Sequence, residues 1–367
     1  MGGGVTTEVN DLSQRLAQAL APGHAARDAG DYSAAERLYA QVVAAFLDSA
    51  EAHHHLAGAY RLQDRLDLAE TEYRRALQLA PGAAATARVL AVMLLSQGRY
   101  PEGFALLEAR HAIPDMAKPA LPFAEWRGEP LIRKRVLIWP EQGFGDQIQF
   151  ARFAPVLKAM GAEVTLLCHP ELVGLFEASL GVQVLAAKGA VEFPDPDYFV
   201  MQGSLAARLG VTVETIPNAP YLHAPHPPPA QQASLRVGLK LAGNPHHTND
   251  ANRSLDAAAA AALRALPVET VSLEPADTGA ADFAETADIL AGLDLVISVD
   301  TSVAHLAGAM GKPCWVLLPK VETDWRWLRE RADSPWYPSI RLYRQTLAGD
   351  WSGPIAAIRR DLAAFRR

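Results

Sequence analysis

The chain has 367 residues, half of them hydrophobic, and carries a formal net charge of −7 at pH 7. That length and apolar content predict two or three domains with sizeable cores. The acidic balance argues against a nucleic-acid partner, because proteins that bind phosphate backbones carry clustered lysine and arginine. The two cysteines, Cys168 and Cys314, are too few and too far apart for a disulfide framework or a cysteine-rich metal site.

The beginning of the chain, MGGGVTTEVND, has neither the basic region nor the apolar core of a signal peptide. No window of the sequence reaches the roughly 18 uninterrupted apolar residues that a membrane span needs. We therefore expect no membrane span and a cytoplasmic location.

A repeat follows. Three similar segments start at Gly30, Asp64 and Gly98, so the period is 34 residues, and each segment has a small residue and then Tyr, Tyr or Leu at matching positions. Small residues occur where two helices cross closely, and stacked helix pairs bury a face that no single pair can bury. The pattern predicts a tetratricopeptide-type helical solenoid over residues 1–112, with two clear units and a shortened third.

Arrays of this kind usually hold an extended peptide or a partner protein in their groove. We therefore expect the repeats to recruit a protein or peptide acceptor. The alternatives are that the repeats pack on the next domain or form a homo-oligomer. Residues 53–55 are three consecutive histidines within a predicted helix, so their side chains point in different directions and cannot converge on one metal ion.

Residues 113–130, IPDMAKPALPFAEWRGEP, are rich in proline and lack a helical period, which predicts a linker. Phe123 and Trp126 within it are expected to anchor the linker against the domain that follows.

After the linker, short apolar runs alternate with helical stretches, which is typical of parallel βα units. The alternation predicts two Rossmann-like doubly wound halves, 131–225 and 226–367, joined by a proline-rich hinge. The predicted strands are 135–139, 163–168 and 182–185 in the first half, and 236–241, 268–272, 295–299 and 313–318 in the second. The predicted helices are 146–160, 170–179, 255–265, 285–291 and 303–310.

In two such sheets joined by a hinge, ligands bind beyond the carboxyl ends of the strands. Three loops, 140–147, 242–253 and 300–305, should therefore line one cleft.

The third loop is the best anion site of the three. Asp300 ends a strand, and Thr301 and Ser302 can cap the helix that follows, whose free N–H groups suit a pyrophosphate. His305 lies one turn into this helix. Ordinary capping is the competing interpretation of these residues.

The second loop, residues 242–254, reads AGNPHHTNDANRS and is too polar to belong to a core. Arg253 is the stronger candidate for a phosphate contact, Lys240 the weaker one, and Asn244 is a further donor-binding candidate. The two adjacent histidines do not predict a metal site, because no carboxylate at ligand spacing completes one.

The first loop, GFGDQIQFAR, follows a strand and permits two interpretations: a glycine turn that cradles phosphate, or a turn that presents the carboxylate of Asp146. Gly143 and Gly145 are predicted to shape this turn. For Asp146 itself, helix capping is the alternative to chemistry.

Four segments in order carry a family resemblance: GFGDQIQFARF, GNPHHTNDANRSL, DTSVAHLAGAMGKP, and DWRWL followed by DSPWYPSIRLYRQ. Together they resemble bacterial tetratricopeptide-repeat glycosyltransferases related to the ADP-heptose:lipopolysaccharide heptosyltransferases and, more distantly, the O-linked N-acetylglucosamine transferases. The resemblance spans essentially the whole chain. It implies a GT-B fold, with the acceptor mainly on the first half and a nucleotide sugar mainly on the second.

The resemblance also implies roles for residues. Asp146 corresponds to the family's catalytic base, with Gln142 and Gln147 beside it on the acceptor side. The segment 300–306 corresponds to the motif that holds the donor's diphosphate, and Ser302 stands where the family has glycine, which narrows the approach of a phosphate.

The reaction so implied is a one-step displacement at a sugar's anomeric carbon, with inversion, a nucleotide sugar as donor and no metal or other cofactor. Asp195–Asp197 matches the Asp-x-Asp signature of metal-dependent transferases, but a solvated turn is the favoured interpretation. The repeats favour a protein acceptor, for which bacterial flagellin is one candidate. An inactive scaffold and an enzyme that modifies a saccharide or lipid remain as alternatives.

Overall fold

The structure is a computed structural model that describes residues 3–141, 143–228 and 234–365, with side chains from residue 11 onward. Its internal contacts divide the chain into two units. One comprises Met1–Leu95 and Glu102–Pro119, and the other comprises Ser96–Pro101 and Ala120–Arg367.

The first unit is built from consecutive helix pairs, as the repeat predicts. The helices are α1 (Gly3–Asp28), α2 (Tyr32–Ala45), α3 (Ala50–Leu62), α4 (Leu66–Leu79), α5 (Ala84–Ser96) and α6 (Tyr100–Leu107), followed by 3₁₀ turns at Glu108–Ala112 and Pro114–Met116. Ala35 and Ala69, which share one repeat position, are fully buried, and Tyr39 and Tyr73, which share another, are almost fully buried. The repeat positions therefore form the core of the helical unit, and the prediction of a helical solenoid is confirmed.

The consecutive histidines of α3 have separate partners. His53 Nδ1 lies 2.5 Å from Glu72 Oε2, and His54 Nδ1 lies 3.0 Å from Thr86 Oγ1. The His55 ring stacks on a tyrosine ring, with centroids 5.5 Å apart. The three side chains thus have different hydrogen-bond and stacking partners, although the rings of His54 and His55 lie edge to face with centroids 5.3 Å apart.

The second unit contains two five-stranded parallel sheets, which confirms the predicted fold class. The first sheet has β1 (Ala124–Glu125), β2 (Arg135–Trp139), β3 (Glu163–Cys168), β4 (Gln183–Ala186) and β5 (Tyr198–Met201), in the order β1-β5-β2-β3-β4. The second has β6 (Arg236–Lys240), β7 (Glu269–Ser272), β8 (Leu295–Val299), β9 (Cys314–Leu318) and β10 (Ile340–Arg344), in the order β10-β9-β8-β6-β7.

Helices connect these strands. They are α7 (Phe144–Ala151), α8 (Phe153–Ala159), α9 (Val173–Leu180), α10 (Leu205–Arg208), α11 (Asp250–Arg253), α12 (Ala257–Arg264), α13 (Pro275–Thr278), α14 (Phe283–Ala291), α15 (Ser302–Ala309) and α16 (Ser352–Ala364). Three 3₁₀ turns lie at Pro170–Leu172, Gln202–Ser204 and Trp325–Trp327. In the part of the chain that the structure describes, no helix combines the length and the apolar character needed to cross a bilayer.

The structure adds β1, β5 and β10 to the predicted strands, and it breaks the helix predicted over 146–160 at Arg152. β10 reads IRLYR, so two arginines obscure the apolar pattern of a buried strand. β1 has two residues and lies in the predicted linker, where the N–H of Trp126 donates to Phe199 O at 2.8 Å. Trp126 is buried and Phe123 packs against the core of the same sheet, which confirms both as anchors.

The strand orders locate the switch point of each sheet, where consecutive crossovers leave in opposite directions. In the first sheet this point lies between β2 and β5, and in the second it lies between β6 and β8. Open α/β sheets bind ligands in the crevice at such a point, beyond the carboxyl ends of the strands. α7 follows β2, α11 follows β6 and α15 follows β8, so all three begin where a ligand is expected.

Close packing of the shortened third repeat can be tested at Gly103 in α6. A Cβ built there would lie 2.7 Å from Leu95 Cγ and 3.1 Å from the Leu95 backbone nitrogen. We expect Gly103→Ala to lower the free energy of unfolding by about 1–2 kcal/mol, because overpacking outweighs the gain in helix propensity. The control is Gly82→Ala, since a Cβ on Gly82 meets no described atom within 4 Å. Urea unfolding followed by circular dichroism measures both, and a Gly103→Ala variant as stable as wild type would contradict the packing.

Candidate active site

The starts of α7 and α15 pack against each other at Gly145. A Cβ built on Gly145 would lie 3.0 Å from His305 Cδ2 and 3.7 Å from Ser302 Cα, so only glycine permits this approach without displacement. Gly143 is the N-cap of α7 with φ −82°, and a Cβ there would meet no described atom within 4 Å. The described residues therefore give a steric reason for glycine at position 145 and none at position 143.

Asp146 lies in the first turn of α7, and 22% of its side chain remains exposed. Its carboxylate forms an ion pair with Arg326, which comes from the other half of the second unit. Burial raises the pKa of Asp146 above its ordinary value, although the Arg326 guanidinium opposes this by favouring the ionised form. The geometry thus presents a carboxylate of increased basicity at the switch point of the first sheet.

Arg326 is the most heavily bonded side chain of the site. Its Nη1 donates to both carboxylate oxygens of Asp324, at 3.1 and 2.9 Å, while its Nη2 contacts Asp146 and its Nε contacts Gln149 Oε1. The guanidinium lies 4.6 Å from the centroid of the Trp325 ring. Burial alone would raise the pKa of the Asp324 carboxyl, but Arg326 reverses the effect and lowers it. Asp324 therefore stays ionised and holds Arg326 in place.

The turn that carries Arg326 has an unusual backbone. Glu322 has φ 51°, and Leu328 has φ 54° with ψ −170°. Side chains other than glycine rarely adopt these conformations, and each costs on the order of 1–3 kcal/mol. Strain of this kind concentrates at functional sites, which directs attention to this turn.

The helix α15 begins as the sequence predicts, but its cap differs. Thr301 occupies the N-cap position without a side-chain hydrogen bond to the helix, and its hydroxyl lies 3.2 Å from Ser298 Oγ. The expected capping by the Thr301 side chain is therefore wrong, because that hydroxyl turns toward β8. The Thr301 side chain therefore leaves the start of α15 uncapped, although the N–H of Ala304 donates to Thr301 O at 3.0 Å. An uncapped helix start favours an anion.

The side chain of His305 is buried. Its Nδ1 lies 3.0 Å from the hydroxyl of Tyr337, and its ring stacks on Trp327 with centroids 5.3 Å apart. Burial and the charge of Arg326 lower the pKa of His305 to about 3. The ring is therefore neutral at physiological pH, and it can offer a phosphate a hydrogen bond but no positive charge.

Arg253 connects the loop after β6 to the end of β8. It lies at the end of α11, where its Nη1 donates to Asp300 O at 3.0 Å and its Nε donates to Asp250 Oδ1 at 3.1 Å. A Cβ on Gly243 would collide with both Arg253 and Asp250. The guanidinium thus lies beside the start of α15, next to the predicted anion site.

The other predicted residues are arranged differently. Lys240 forms an ion pair with Glu274. Asn244 is exposed, and its Oδ1 accepts a hydrogen bond from the His246 N–H at 3.0 Å. Gln147 is buried, and its Oε1 accepts a hydrogen bond from the N–H of the residue after β3 at 2.9 Å. Gln142 lies outside the described residues.

The Asp-x-Asp segment lies away from this cleft. Asp197 Oδ2 accepts a hydrogen bond from the N–H of Arg135 at 2.8 Å, and Lys134 Nζ lies 3.2 Å from Asp197 Oδ1. Asp197 therefore fastens the amino end of β2, whereas α7 follows the carboxyl end. In the described ranges no group of three or more His, Cys, Asp or Glu side chains is arranged to hold a metal ion.

The acidic side chains of Asp146, Asp300 and Asp324 lie at the cleft, and they differ in their ionisation. Burial and the neighbouring Asp324 carboxylate raise the pKa of Asp300 to about 7. Asp324 is ionised through its pairing with Arg326, whereas Asp300 is about half protonated near pH 7. The proton on Asp300 reduces the negative charge beside the start of α15.

Sequence reasoning did not assign roles to Arg326, Asp324 and Gln149. The segment DWRWL carried part of the family resemblance, but nothing in its composition indicates that the arginine reaches α7. That contact joins residues 180 positions apart in the chain.

The fold thus combines helical repeats with two Rossmann-like halves, each built on a five-stranded parallel sheet. Residues 20–84 match the tetratricopeptide repeat family, and residues 257–317 match glycosyltransferase family 9 (heptosyltransferase). The chain therefore carries a segment similar to the tetratricopeptide repeats and a segment similar to the family 9 glycosyltransferases.

One curated relative is the protein FlbA of Caulobacter vibrioides, which is 28% identical over 86% of this chain. The chain spans only 62% of the length of that relative.

Similar solved structures include the iron-containing dodecameric glycosyltransferase TibC from enterotoxigenic E. coli H10407, with 14% identity, 62% of this chain and 67% of that chain covered, and a TM-score of 0.44. A family 9 glycosyl transferase from Veillonella parvula has 12% identity, 66% and 92% coverage, and a TM-score of 0.42. A mutant O-GlcNAc transferase of Thermobaculum terrenum has 16% identity, 83% and 82% coverage, and a TM-score of 0.25. Likeness at these TM-scores does not carry chemistry from one protein to another.

The raised pKa of Asp300 predicts a pH-dependent stability. Because its pKa is about 7 in the folded chain and near 4 when unfolded, the folded chain holds the extra proton between these values and loses stability as pH rises through this window. We expect Asp300→Asn to become more stable relative to wild type between pH 4.5 and pH 8, by more than about 1 kcal/mol. Urea unfolding at both pH values measures the difference.

Asp333→Asn is the matched control. A hydrogen bond from Arg331 lowers the pKa of Asp333, so no such gain is expected there. A difference between Asp300→Asn and wild type that stays constant with pH would contradict the prediction.

Proposed function

We propose that the chain is an inverting, metal-independent glycosyltransferase that moves a sugar from a nucleotide sugar to a protein acceptor recruited by the tetratricopeptide repeats. The observation that carries the proposal is the close approach of the starts of α7 and α15 at Gly145, with Asp146 on one helix and an open helix N-terminus on the other. A base and an anion site on opposite sides of one cleft are the two elements that a one-step displacement requires.

In this proposal the donor's diphosphate lies at the start of α15. The N–H groups of the first turn, the Ser302 hydroxyl and the Arg253 guanidinium contact its oxygens, and the neutral His305 ring adds a hydrogen bond. Helix dipole and guanidinium together stabilise the charge that grows on the leaving phosphate, which is the task that a divalent metal performs in other transferases. Lys240 takes no part, because Glu274 holds it.

The acceptor's hydroxyl lies on the side of α7. Asp146 removes its proton while the oxygen attacks the anomeric carbon and the bond to the diphosphate breaks. Attack from the face opposite the leaving group inverts that carbon. The raised pKa of Asp146 supports this role, since a base is most effective when its pKa approaches the working pH.

The protein acceptor is proposed from the repeat unit, because such arrays usually bind peptides and proteins. Label from a radioactive nucleotide sugar should appear in protein when the purified chain is added to a lysate. Label in lipid or free saccharide alone would instead support an enzyme that modifies a lipid or a saccharide. If no ADP-, GDP-, UDP- or CDP-sugar raises the melting temperature of the chain, the proposed donor site is wrong.

Replacement of the proposed base should separate binding from transfer. We expect Asp146→Asn to bind the donor at least as well as wild type and to transfer sugar roughly 100-fold or more slowly, because general bases contribute on the order of 10²–10⁴ in rate. Asp195→Asn, in the Asp-x-Asp segment of the same half, should transfer at the wild-type rate. Label transfer and thermal shift measure the two effects, and an Asp146→Asn variant with full activity would rule out the base.

Loss of the guanidinium next to α15 should weaken donor binding. We expect Arg253→Gln to raise the donor dissociation constant roughly 10- to 100-fold, because a hydrogen bond to a charged group contributes about 1.5–3 kcal/mol. Arg264→Gln serves as control, because Arg264 ends α12 and has no described contact with the site. Calorimetric titration with the nucleotide sugar gives both constants, and equal values would remove Arg253 from the donor site.

A further inference from the structure

The buried guanidinium of Arg326 has a role that the proposed function does not yet use. It bonds to Asp146, the proposed base, and the preceding Gly145 packs against His305 and Ser302 at the start of α15. Trp327, the residue after Arg326, stacks on the His305 ring with centroids 5.3 Å apart. One cation therefore faces both the base and the site proposed for the leaving diphosphate.

We propose that Arg326 is shared between the base and the leaving group: it pairs with Asp146 before the reaction and with the nucleoside diphosphate as that group departs. The inference rests on the proposed function and adds to it a residue that couples its two halves.

The charges that change during the reaction favour this exchange. When the acceptor's proton moves to Asp146, the O–H bond breaks, the new bond from oxygen to the anomeric carbon forms, and the bond from that carbon to the diphosphate breaks with its electron pair. Asp146 then becomes neutral and Arg326 loses one of its two paired carboxylates. The same step creates a negative charge on the diphosphate, so a guanidinium that can reach both anions stays paired throughout.

The anchoring of Arg326 suits this exchange. Nη1 is held by both oxygens of Asp324, whereas Nη2 alone contacts Asp146. Loss of the Asp146 contact therefore leaves the guanidinium positioned by Asp324 and frees one N–H donor. The positive φ values of Glu322 and Leu328 bracket this turn and mark it as a segment whose conformation the surrounding structure imposes.

Nucleoside diphosphate binding tests the sharing without any catalytic turnover. ADP, GDP and UDP are titrated by calorimetry into the full chain, and the tightest binder is used as the probe. We expect Asp146→Asn to bind this nucleotide roughly tenfold more tightly than wild type, because the neutral amide releases one charged donor of Arg326. Arg326→Gln should bind it roughly tenfold more weakly.

The double variant decides between sharing and simple repulsion. If Arg326 is shared, Asp146→Asn produces no gain in the Arg326→Gln background. A tenfold gain that persists there means that Asp146 merely repels the nucleotide, and it overturns the inference. An Arg326→Gln variant with wild-type affinity also overturns it, because Arg326 then only orients Asp146.

Two further variants serve as controls. Arg331→Gln removes an exposed arginine that pairs with Asp333, and the full gain from Asp146→Asn should persist in that background. If Arg326→Gln fails to fold, Arg326→Lys retains the charge but lacks the forked donors, and the gain should fall well below tenfold. If the wild-type chain binds none of the three nucleotides, both the proposed function and the inference are overturned. If the wild-type chain binds a nucleotide and the variants of Asp146 and Arg326 bind it with the same affinity, only the inference is overturned.

Discussion

The contact between Arg326 and Asp146 is the interaction on which the site depends. It joins the turn after β9 to the helix after β2, and it brings a buried cation and a partly buried anion together across the two sheets. Neither charge is favourable alone at this depth, because an unpaired buried ion loses its hydration without compensation. Asp324 pairs with Arg326 from the same half, and the contact with Asp146 adds an ion pair that holds the two Rossmann-like halves together.

The carboxyl groups around this pair differ in their ionisation. Asp324 is ionised because Arg326 pairs with it, whereas Asp300 retains a proton into the neutral range because burial and Asp324 oppose its charge. Since His305 is neutral, the guanidinium groups of Arg253 and Arg326 and the start of α15 supply the positive potential. Near pH 7 the negative charge of the three carboxyl groups is thus reduced, since Asp300 is about half protonated and Asp146 and Asp324 are paired with Arg326.

The repeat unit and the unit with the two sheets follow different physical rules. In the repeats, small residues at one position and tyrosines at another bury a face that recurs every 34 residues, so the core is periodic in the sequence. In the sheets, the order of the strands departs from the order of the chain, and this departure creates the switch points. The loops that meet there come from residues far apart in sequence.

The sequence by itself determined the repeat, the alternation of strands and helices, and the three loops of the cleft, because each depends on short-range periodicity or on residues next to one another. It also placed Asp146 and the start of α15 at ends of predicted strands. Only the tertiary structure decided that Arg326 pairs with Asp146, that Glu274 holds Lys240, and that His305 is enclosed. These depend on contacts between distant segments, for which no local pattern exists. The strand β10 was missed for a different reason, because its two arginines interrupt the apolar pattern of a buried strand.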